Sequence, residues 1–492
     1  MPLIKSISGI RGTIGGEPGE NLSPIDILKF TSAYGFFIIQ KNNGAIQSDS
    51  IVTRQKIIIG RDGRVSGEMV KDLVVGALLS QGLNVIDLGL ATTPTVEMVV
   101  IQEKAQGGII ISASHNPQGW NALKFLNEKG EFLSAVDASQ IIELAEQDDK
   151  HNMPAVSEDK LGLYTFNPSL AQNHLNSILF LELVARELIA KKKFKVVVDG
   201  INSVGGVVVP ELLRALGVED IIEINCKPNG LFAHKPEPIE ENLLTIMTQV
   251  RESKANLGIV VDPDVDRLAF IDENGEFFGE EYTLVAVAGY VLKNFSLVNA
   301  KFPGQYSLAA VSNLSSSRAL QYMADKYQAG YVAAAVGEVN VVSVMKETRA
   351  VIGGEGNGGI IYPPLHYGRD ALVGLALFLS ALALSGKKMS EFRQEFPSYF
   401  MVKDKIELPA NLDMIALLKK IKNYYQGLEV VGVSQLVVTE IDGLKLDWPD
   451  SWLHLRVSNT EQIMRIYGEA SSRDKIISKI TGLKSKILAY IK

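Results

Sequence analysis

Three times along the chain, a run of apolar and β-branched residues stops at a small or acidic residue, crosses a polar loop, enters a helical pattern and ends in a second apolar run. Lys56-Ile57-Ile58-Ile59-Gly60-Arg61-Asp62 leads into a helix across Ser66 to Gly82 and a strand at Asn84 to Leu88. Lys195-Val196-Val197-Val198-Asp199-Gly200 passes through Asn202-Ser203-Val204-Gly205-Gly206 into a helix ending near Gly217, then Asp220 to Ile224. Leu308 to Val311, the loop Ser312 to Ser317, a helix to about Gln328 and Gly330 to Ala335 form the third round. Strands that are apolar without alternation are buried on both faces, so they belong to parallel sheets covered by helices. The pattern predicts three similar tandem α/β domains with mixed sheets, and the unequal periods exclude a solenoid.

From about Glu391 onward short strands mix with helices at Met414 to Tyr425 and Ser472 to Lys492, which predicts a smaller C-terminal α+β domain. With 492 residues the chain exceeds what a single core organises. Boundaries at the polar stretch Gln147 to Lys160, the turn Asp272-Glu273-Asn274-Gly275 and Gly386 to Ser390 give domains 1–155, 156–273, 274–388 and 389–492. The most apolar stretch, Ala371 to Ser385, is too short to span a bilayer and reads as a buried helix stopped by Gly386.

A net charge of -7 argues against a nucleic-acid partner, and any anionic ligand then requires Arg and Lys gathered locally. The single cysteine, Cys226, has no disulfide partner and no metal-binding neighbours in the sequence. That usage fits a reducing compartment, and Met1 to Gly12 contains no apolar signal core, so a cytoplasmic location is expected, with no membrane partner.

Four loops carry chemistry. In Gly107-Gly108-Ile109-Ile110-Ile111-Ser112-Ala113-Ser114-His115-Asn116-Pro117 an apolar strand stops in small polar residues, so Ser114 is expected exposed at its end. His115, its immediate neighbour, is badly placed to activate it as a nucleophile. A Ser114 that already carries phosphate needs only positioning and charge neutralisation; an Asn-Pro turn is the plainer alternative. In Gly258-Ile259-Val260-Val261-Asp262-Pro263-Asp264-Val265-Asp266-Arg267, alternate positions of an extended loop bring Asp262, Asp264 and Asp266 to one face. Three carboxylates together call for a hard cation, Mg²⁺ by preference, unless the loop is simply solvated. An EF-hand is excluded because Arg267 stands where a Gly is needed and a strand precedes the loop. Arg267 suits a phosphate oxygen.

The third loop, Ile352-Gly353-Gly354-Glu355-Gly356-Asn357-Gly358-Gly359, is too rich in glycine for a helix or strand interior and implies close backbone approach, with Glu355 and Asn357 able to hold sugar hydroxyls. In the fourth, Leu455-Arg456-Val457-Ser458-Asn459-Thr460-Glu461 with Arg465, two guanidinium groups and two hydroxyls make a pocket for a phosphate dianion, or else a capped helix start.

In this order the four loops resemble the α-D-phosphohexomutase superfamily, from Gly9-Ile10-Arg11-Gly12 to Arg465. The resemblance implies four domains around a central cleft and an enzyme that interconverts hexose or hexosamine 1- and 6-phosphates through a phosphoserine and a 1,6-bisphosphate intermediate. It makes Ser114 the phosphoserine, whose phosphate joins Asp262, Asp264 and Asp266 around Mg²⁺. Arg11, Lys124 and Arg267 become basic residues at the transferring phosphate, with Lys124 a candidate for proton transfer. Glu355 and Asn357 fall on the sugar-recognition loop, and Arg456, Ser458, Asn459, Thr460 and Arg465 on the loop holding the non-reacting phosphate.

Many bacterial members place a His after the sugar loop where this chain has Gly359; His366 is the candidate substitute. Asn121-Ala122-Leu123-Lys124 has Ala where an Asn-Gly pair is common, which makes the chain similar to the branch called phosphoglucosamine mutase or phosphoglucomutase/phosphomannomutase. Glucosamine phosphate is the expected substrate, glucose or mannose phosphate the alternatives, and the expected assembly a monomer or homodimer. Two other classes compete: an Mg²⁺-dependent sugar phosphatase with Asp262 as nucleophile, and a non-catalytic sugar-phosphate sensor.

Overall fold

The computed structural model describes residues 3–43, 54–147, 155–409, 412–429, 435–457 and 462–491. Its three α/β units share one strand order. In the first, Asn84–Leu90 lies beside Lys56–Arg61, then Gly107–Ile111, then the antiparallel Trp120–Leu126. In the second the order is Asp220–Ile224, Lys195–Asp199, Leu257–Val261 and antiparallel Leu268–Ile271. The third runs Gly330–Ala334, Ser307–Asn313, Ala350–Glu355 and antiparallel Gly359–Ile361. The first sheet grows to seven strands by adding Gly9–Thr13 and Ile4–Ser6 on one edge and Tyr164–Phe166 on the other.

The first and third strands of each unit are apolar on both faces because helices cover both, and Ile57, Ile58, Ile59, Val196, Val197, Val198, Ile109, Ile110 and Ile111 are all fully buried. The chain reverses only between the third and fourth strands. That one position holds 112–119 in the first unit, 262–267 in the second and 356–358 in the third. Three of the loops singled out in the sequence are therefore the same hairpin of a repeated fold.

The second and third units share one hydrophobic core around the helices Glu280–Lys293 and Ala371–Ser385. Phe378 stacks on Phe270 at 3.8 Å between ring centroids and meets Phe278 edge-on. Asp370 caps Ala371–Ser385 by accepting from Leu372 N and Val373 N, and Gly386 ends it at φ +71°, where a Cβ would be strained. Burial of each such Leu, Val or Phe contributes roughly 1.5–3 kcal/mol. Among the described residues no single helix is long and apolar enough to cross a membrane.

The C-terminal unit is a five-stranded antiparallel sheet in the order Phe400–Glu407, Ile463–Ala470, Ser451–Val457, Leu444–Trp448, Val437–Thr439, packed on the helices Met414–Glu429 and Arg473–Ile491. Of its fourth-loop segment, Leu455, Arg456 and Val457 end the strand Ser451–Val457, and Ser458 to Glu461 lie outside the described residues. The glycine-rich segment departs from expectation, since Gly353 and Gly354 lie inside the strand Ala350–Glu355. Packing tolerates them there because a Cβ on Gly353 would stand 2.4 Å from Met345 Sδ and one on Gly354 2.0 Å from the Gly359 carbonyl.

Candidate active site

Ser114 follows its strand by three residues and adopts φ +46°. It is 7% exposed rather than presented to solvent, because the acidic loop of the second unit closes over it. The Ser114 hydroxyl donates to Asp262 Oδ2 at 2.6 Å. Its own loop is clamped from beneath by Arg64, which is buried and donates to the carbonyls of Ser114, Asn116, Pro117 and Trp120 at 2.6–2.9 Å. Asp62 holds Arg64 Nε at 3.0 Å and accepts from Ser112 Oγ, which in turn accepts from Ser114 N.

Asp262, Asp264 and Asp266 are fully buried, and their ligand oxygens lie within 4.8 Å of one another. The segment is not the extended loop expected. It curls into a turn, with Val265 at φ +62°, Val265 N donating to the Asp262 carbonyl, and Asp266 N and Arg267 N both donating to Asp262 Oδ1 at 3.1 Å. Asp264 Oδ2 accepts from Thr93 Oγ1 at 2.5 Å and Lys124 Nζ at 2.6 Å, and Asp266 Oδ2 from Arg369 Nη2 at 2.6 Å. Asp264 Oδ1 and Asp266 Oδ1 are buried without any hydrogen-bond partner. Two orphaned carboxylate oxygens beside the Ser114 hydroxyl are what an oxygen-liganded divalent cation requires, so the residues fit the ion expected from the sequence.

The electrostatics agree. Burial, then the charges of Asp266 and Asp264, push the Asp262 carboxyl well above the usual range. Burial opposes ionisation of Asp264 too, but the Lys124 ammonium and the Thr93 hydroxyl hold it below that range. Lys124 is destabilised by burial, yet Asp264 and Asp266 raise it, so it keeps its proton. His115 accepts from Arg267 Nη2 at 2.9 Å; burial and the guanidinium groups of Arg267, Arg11 and Arg369 push it down to about 2, and it is neutral. The acidic chain thus gathers positive charge where a phosphate would sit. Arg11 itself donates to Ser8 Oγ at 2.6 Å, and its Nε is buried without a partner. Arg267 also contacts Glu237 at 3.1 Å.

Glu355 is buried and accepts from Asn313 Nδ2 at 2.8 Å, Gly337 N at 3.0 Å and Arg369 Nη1 at 3.0 Å. Asn357 Oδ1 accepts from Gly359 N at 3.2 Å. Arg369, Arg64 and Thr93 had not been singled out in the sequence. Their signal was weak, because each acts on a residue at least fifty positions away. His366, the candidate substitute for a His at position 359, has its ring nitrogens 3.3 Å from Glu97 and from Asp370. In the C-terminal unit Arg456 pairs with Asp442 at 2.8 Å, and Asp442 accepts from Val336 N, next to the Gly337 amide that binds Glu355. Arg465 is exposed directly across the sheet from Arg456. Ser458, Asn459 and Thr460 lie outside the described residues.

Models of the family described as phosphoglucomutase/phosphomannomutase match its domain I over residues 4–152, domain II over 173–275 and domain III over 280–400. The chain belongs to the phosphoglucomutase/phosphomannomutase family. It is an α-D-phosphohexomutase, an enzyme of the isomerase class. A phosphoglucomutase/phosphomannomutase of Thermococcus kodakarensis is 34% identical to it over 94% of this chain and 95% of that one. A phosphoglucosamine/phosphogalactosamine mutase of Sulfurisphaera tokodaii is 32% identical over 97% of each. A phosphoglucomutase/phosphomannomutase family structure from Burkholderia thailandensis superposes with a TM-score of 0.78 at 21% identity, covering 99% of this chain and 98% of that one, and shares the phosphohexomutase fold.

Proposed function

We propose that this phosphohexomutase interconverts hexosamine 1- and 6-phosphates, glucosamine phosphate foremost, through a phosphoserine at Ser114. The observation that carries the site assignment is the 2.6 Å contact between Ser114 Oγ and Asp262, beside the unpartnered oxygens of Asp264 and Asp266. Asp262, Asp264, Asp266 and the phosphate of Ser114 would hold Mg²⁺, which when bound offsets phosphoryl charge. Phospho-Ser114 gives its phosphoryl group to a sugar hydroxyl, breaking the Oγ–P bond and forming an O–P bond to the sugar. Lys124, still protonated, is the group we assign to give its proton to the departing serine oxygen and to take up the proton released by the sugar hydroxyl, so the step balances. Arg11 and Arg267 neutralise the transferring group without rearrangement, since the fold already concentrates them there. Ser114 then takes back the phosphate at the other position from the 1,6-bisphosphate, while Arg456, Ser458, Asn459, Thr460 and Arg465 grip the one not reacting. Glu355 and Asn357 face the sugar, Glu355 with its carboxylate set by Arg369.

The phosphatase alternative has less support, because Asp262 Oδ1 accepts from two backbone amides, and Oδ2 lies against the Ser114 hydroxyl with one lone pair left, which the cation would take. Support for the amino sugar comes from the Sulfurisphaera relative's name, and the Thermococcus relative keeps glucose and mannose phosphates in play. Turnover of glucosamine, glucose and mannose 1-phosphates by purified protein with Mg²⁺ tests the reading. The highest kcat/KM is expected for glucosamine 1-phosphate; a higher value for either neutral sugar overturns the sugar assignment, and release of inorganic phosphate without any 6-phosphate overturns the phosphoserine cycle.

A further inference from the structure

Where the first three units meet, a second polar cluster is sealed from solvent. His174 comes from the helix Gln172–Leu179, Glu97 from the helix Thr93–Gln102, and His366 and Asp370 from the segment between the strand Gly359–Ile361 and the helix Ala371–Ser385. None of the four is more than 4% exposed. His174 Nε2 lies 2.9 Å and His366 Nε2 3.3 Å from Asp370 Oδ2, and the three ligand atoms fall within 4.8 Å of one another.

The other nitrogen of each ring also faces an oxygen. His174 Nδ1 is 3.0 Å from Thr95 Oγ1, and His366 Nδ1 is 3.3 Å from Glu97 Oε2. Glu97 is 1% exposed, and neither of its oxygens has a hydrogen-bond partner. Asp370 Oδ1 is fixed by the two backbone amides it caps, which leaves Oδ2 to face both imidazoles. With the ring protons on Nε2 these contacts are two hydrogen bonds to Asp370 Oδ2; with them on Nδ1, both Nε2 lone pairs face one carboxylate oxygen, which a cation between them would relieve.

We propose that His174 Nε2, His366 Nε2 and Asp370 Oδ2 bind a divalent transition metal of the zinc class, separate from the ion of the Asp262–Asp266 turn. Two imidazole nitrogens and one carboxylate are ligands for zinc or cobalt rather than magnesium. Bonds of about 2.0–2.2 Å in a tetrahedral site place ligand atoms roughly 3.4 Å apart, so the two contacts to Asp370 at 2.9 and 3.3 Å need widen by no more than about half an ångström, while the two imidazole nitrogens, within 4.8 Å, settle to the same spacing. Glu97 and Thr95 then fill the role of outer-shell acceptors that fix the ring tautomers. The ion's two positive charges balance the buried carboxylates of Asp370 and Glu97, and a solvent molecule would complete the tetrahedron.

Met98, Asn173 and Leu365, chain neighbours of Glu97, His174 and His366, line a surface cavity of about 630 Å³. The ion would pin three units together beside the catalytic turn, because Thr93 begins the Glu97 helix and binds Asp264, while Arg369 precedes Asp370 and binds Asp266.

Cobalt titration of the full-length, metal-stripped protein in saturating Mg²⁺ tests this. The expected result is one equivalent of Co²⁺ with the visible absorption of a tetrahedral nitrogen–oxygen site, displaced by one equivalent of Zn²⁺. That band is lost in His366→Gln and His174→Gln and kept in Asp262→Asn. Absence of a tetrahedral band and of tightly retained Zn²⁺ in folded wild-type protein overturns the proposal and leaves both imidazoles as hydrogen-bond partners of Asp370. A band lost in Asp262→Asn but kept in His366→Gln overturns it too. Should the histidine variants not fold, the wild-type titration decides alone.

Discussion

Arg369 Nη2 lies 2.6 Å from Asp266 Oδ2, while Nη1 and Nε of the same guanidinium reach Glu355 and Glu338 at 3.0 Å each. One planar group thus sets the acidic turn of the second unit and the glycine-rich loop of the third. Lysine keeps the charge but cannot hold three carboxylates in fixed directions. Arg369→Lys is expected to raise the Mg²⁺ concentration for half-maximal activity roughly 10–100-fold, as loss of an outer-shell partner does elsewhere. An Mg²⁺ titration of initial rates checks this, and an unchanged midpoint would refute the coupling.

Arg64 makes a buried ion pair with Asp62 and four hydrogen bonds to carbonyls of the Ser114 loop. Arg64→Met leaves Asp62 charged and buried and frees a loop held at positive φ. A loss of about 3–5 kcal/mol is expected, read from chemical denaturation. Asp62→Asn with Arg64→Met should recover part of it, because the unpaired charge is gone.

His454 docks the C-terminal unit on the third. Its Nε2–H donates to the Asp442 carbonyl at 2.7 Å and its Nδ1 accepts from Ser315 Oγ at 2.9 Å, which fixes a neutral ring. Burial, then Lys445 and Arg456, push it down to about 4 against the opposing pull of Asp442. An unfolded His at about 6.5 binds a proton that the folded one refuses, so this stabilisation is complete above pH 6.5 and is lost as pH falls towards 4. The loss is on the order of 3 kcal/mol. Denaturation midpoints measured between pH 7 and 4 should fall more steeply for wild type than for His454→Gln; parallel slopes would contradict the assignment.

Chelation should abolish turnover and Mg²⁺ restore it. Asp264→Asn removes an orphaned oxygen and also leaves the Lys124 ammonium buried without its partner, so activity is expected to fall at least about 10²-fold even at high Mg²⁺. Thr93→Val, which removes a single hydroxyl donor, should cost less. Rates for both variants across an Mg²⁺ series test that ranking.

Much of this was legible in the chain. Runs such as Ile57 to Ile59 and Val196 to Val198 announce strands buried on both faces, and an apolar strand that ends in Ser114 or in Asp262 places polar side chains at a sheet's end. Burial and partnership were less legible. Ser114 reads as exposed because nothing near it in sequence shows that another unit's turn will cover it. The acidic segment reads as extended by alternation, but two backbone amides bonding back to Asp262 curl it. Arg64, Thr93 and Arg369 carry no local pattern, since their partners arrive only through packing of the repeated units. His366 invites a catalytic reading by its place near the sugar loop, whereas its ring is turned into the cluster with His174 and Asp370.

The most direct test of the Ser114–Asp262 relationship is to incubate wild-type protein with Mg²⁺ and glucosamine 1,6-bisphosphate and map the modification by peptide mass spectrometry. One phosphoryl group is expected on Ser114, transferred to added glucosamine 1-phosphate, with neither labelling nor turnover in Ser114→Ala. Phosphate on Asp262, or turnover in Ser114→Ala close to that of wild type, would contradict the account.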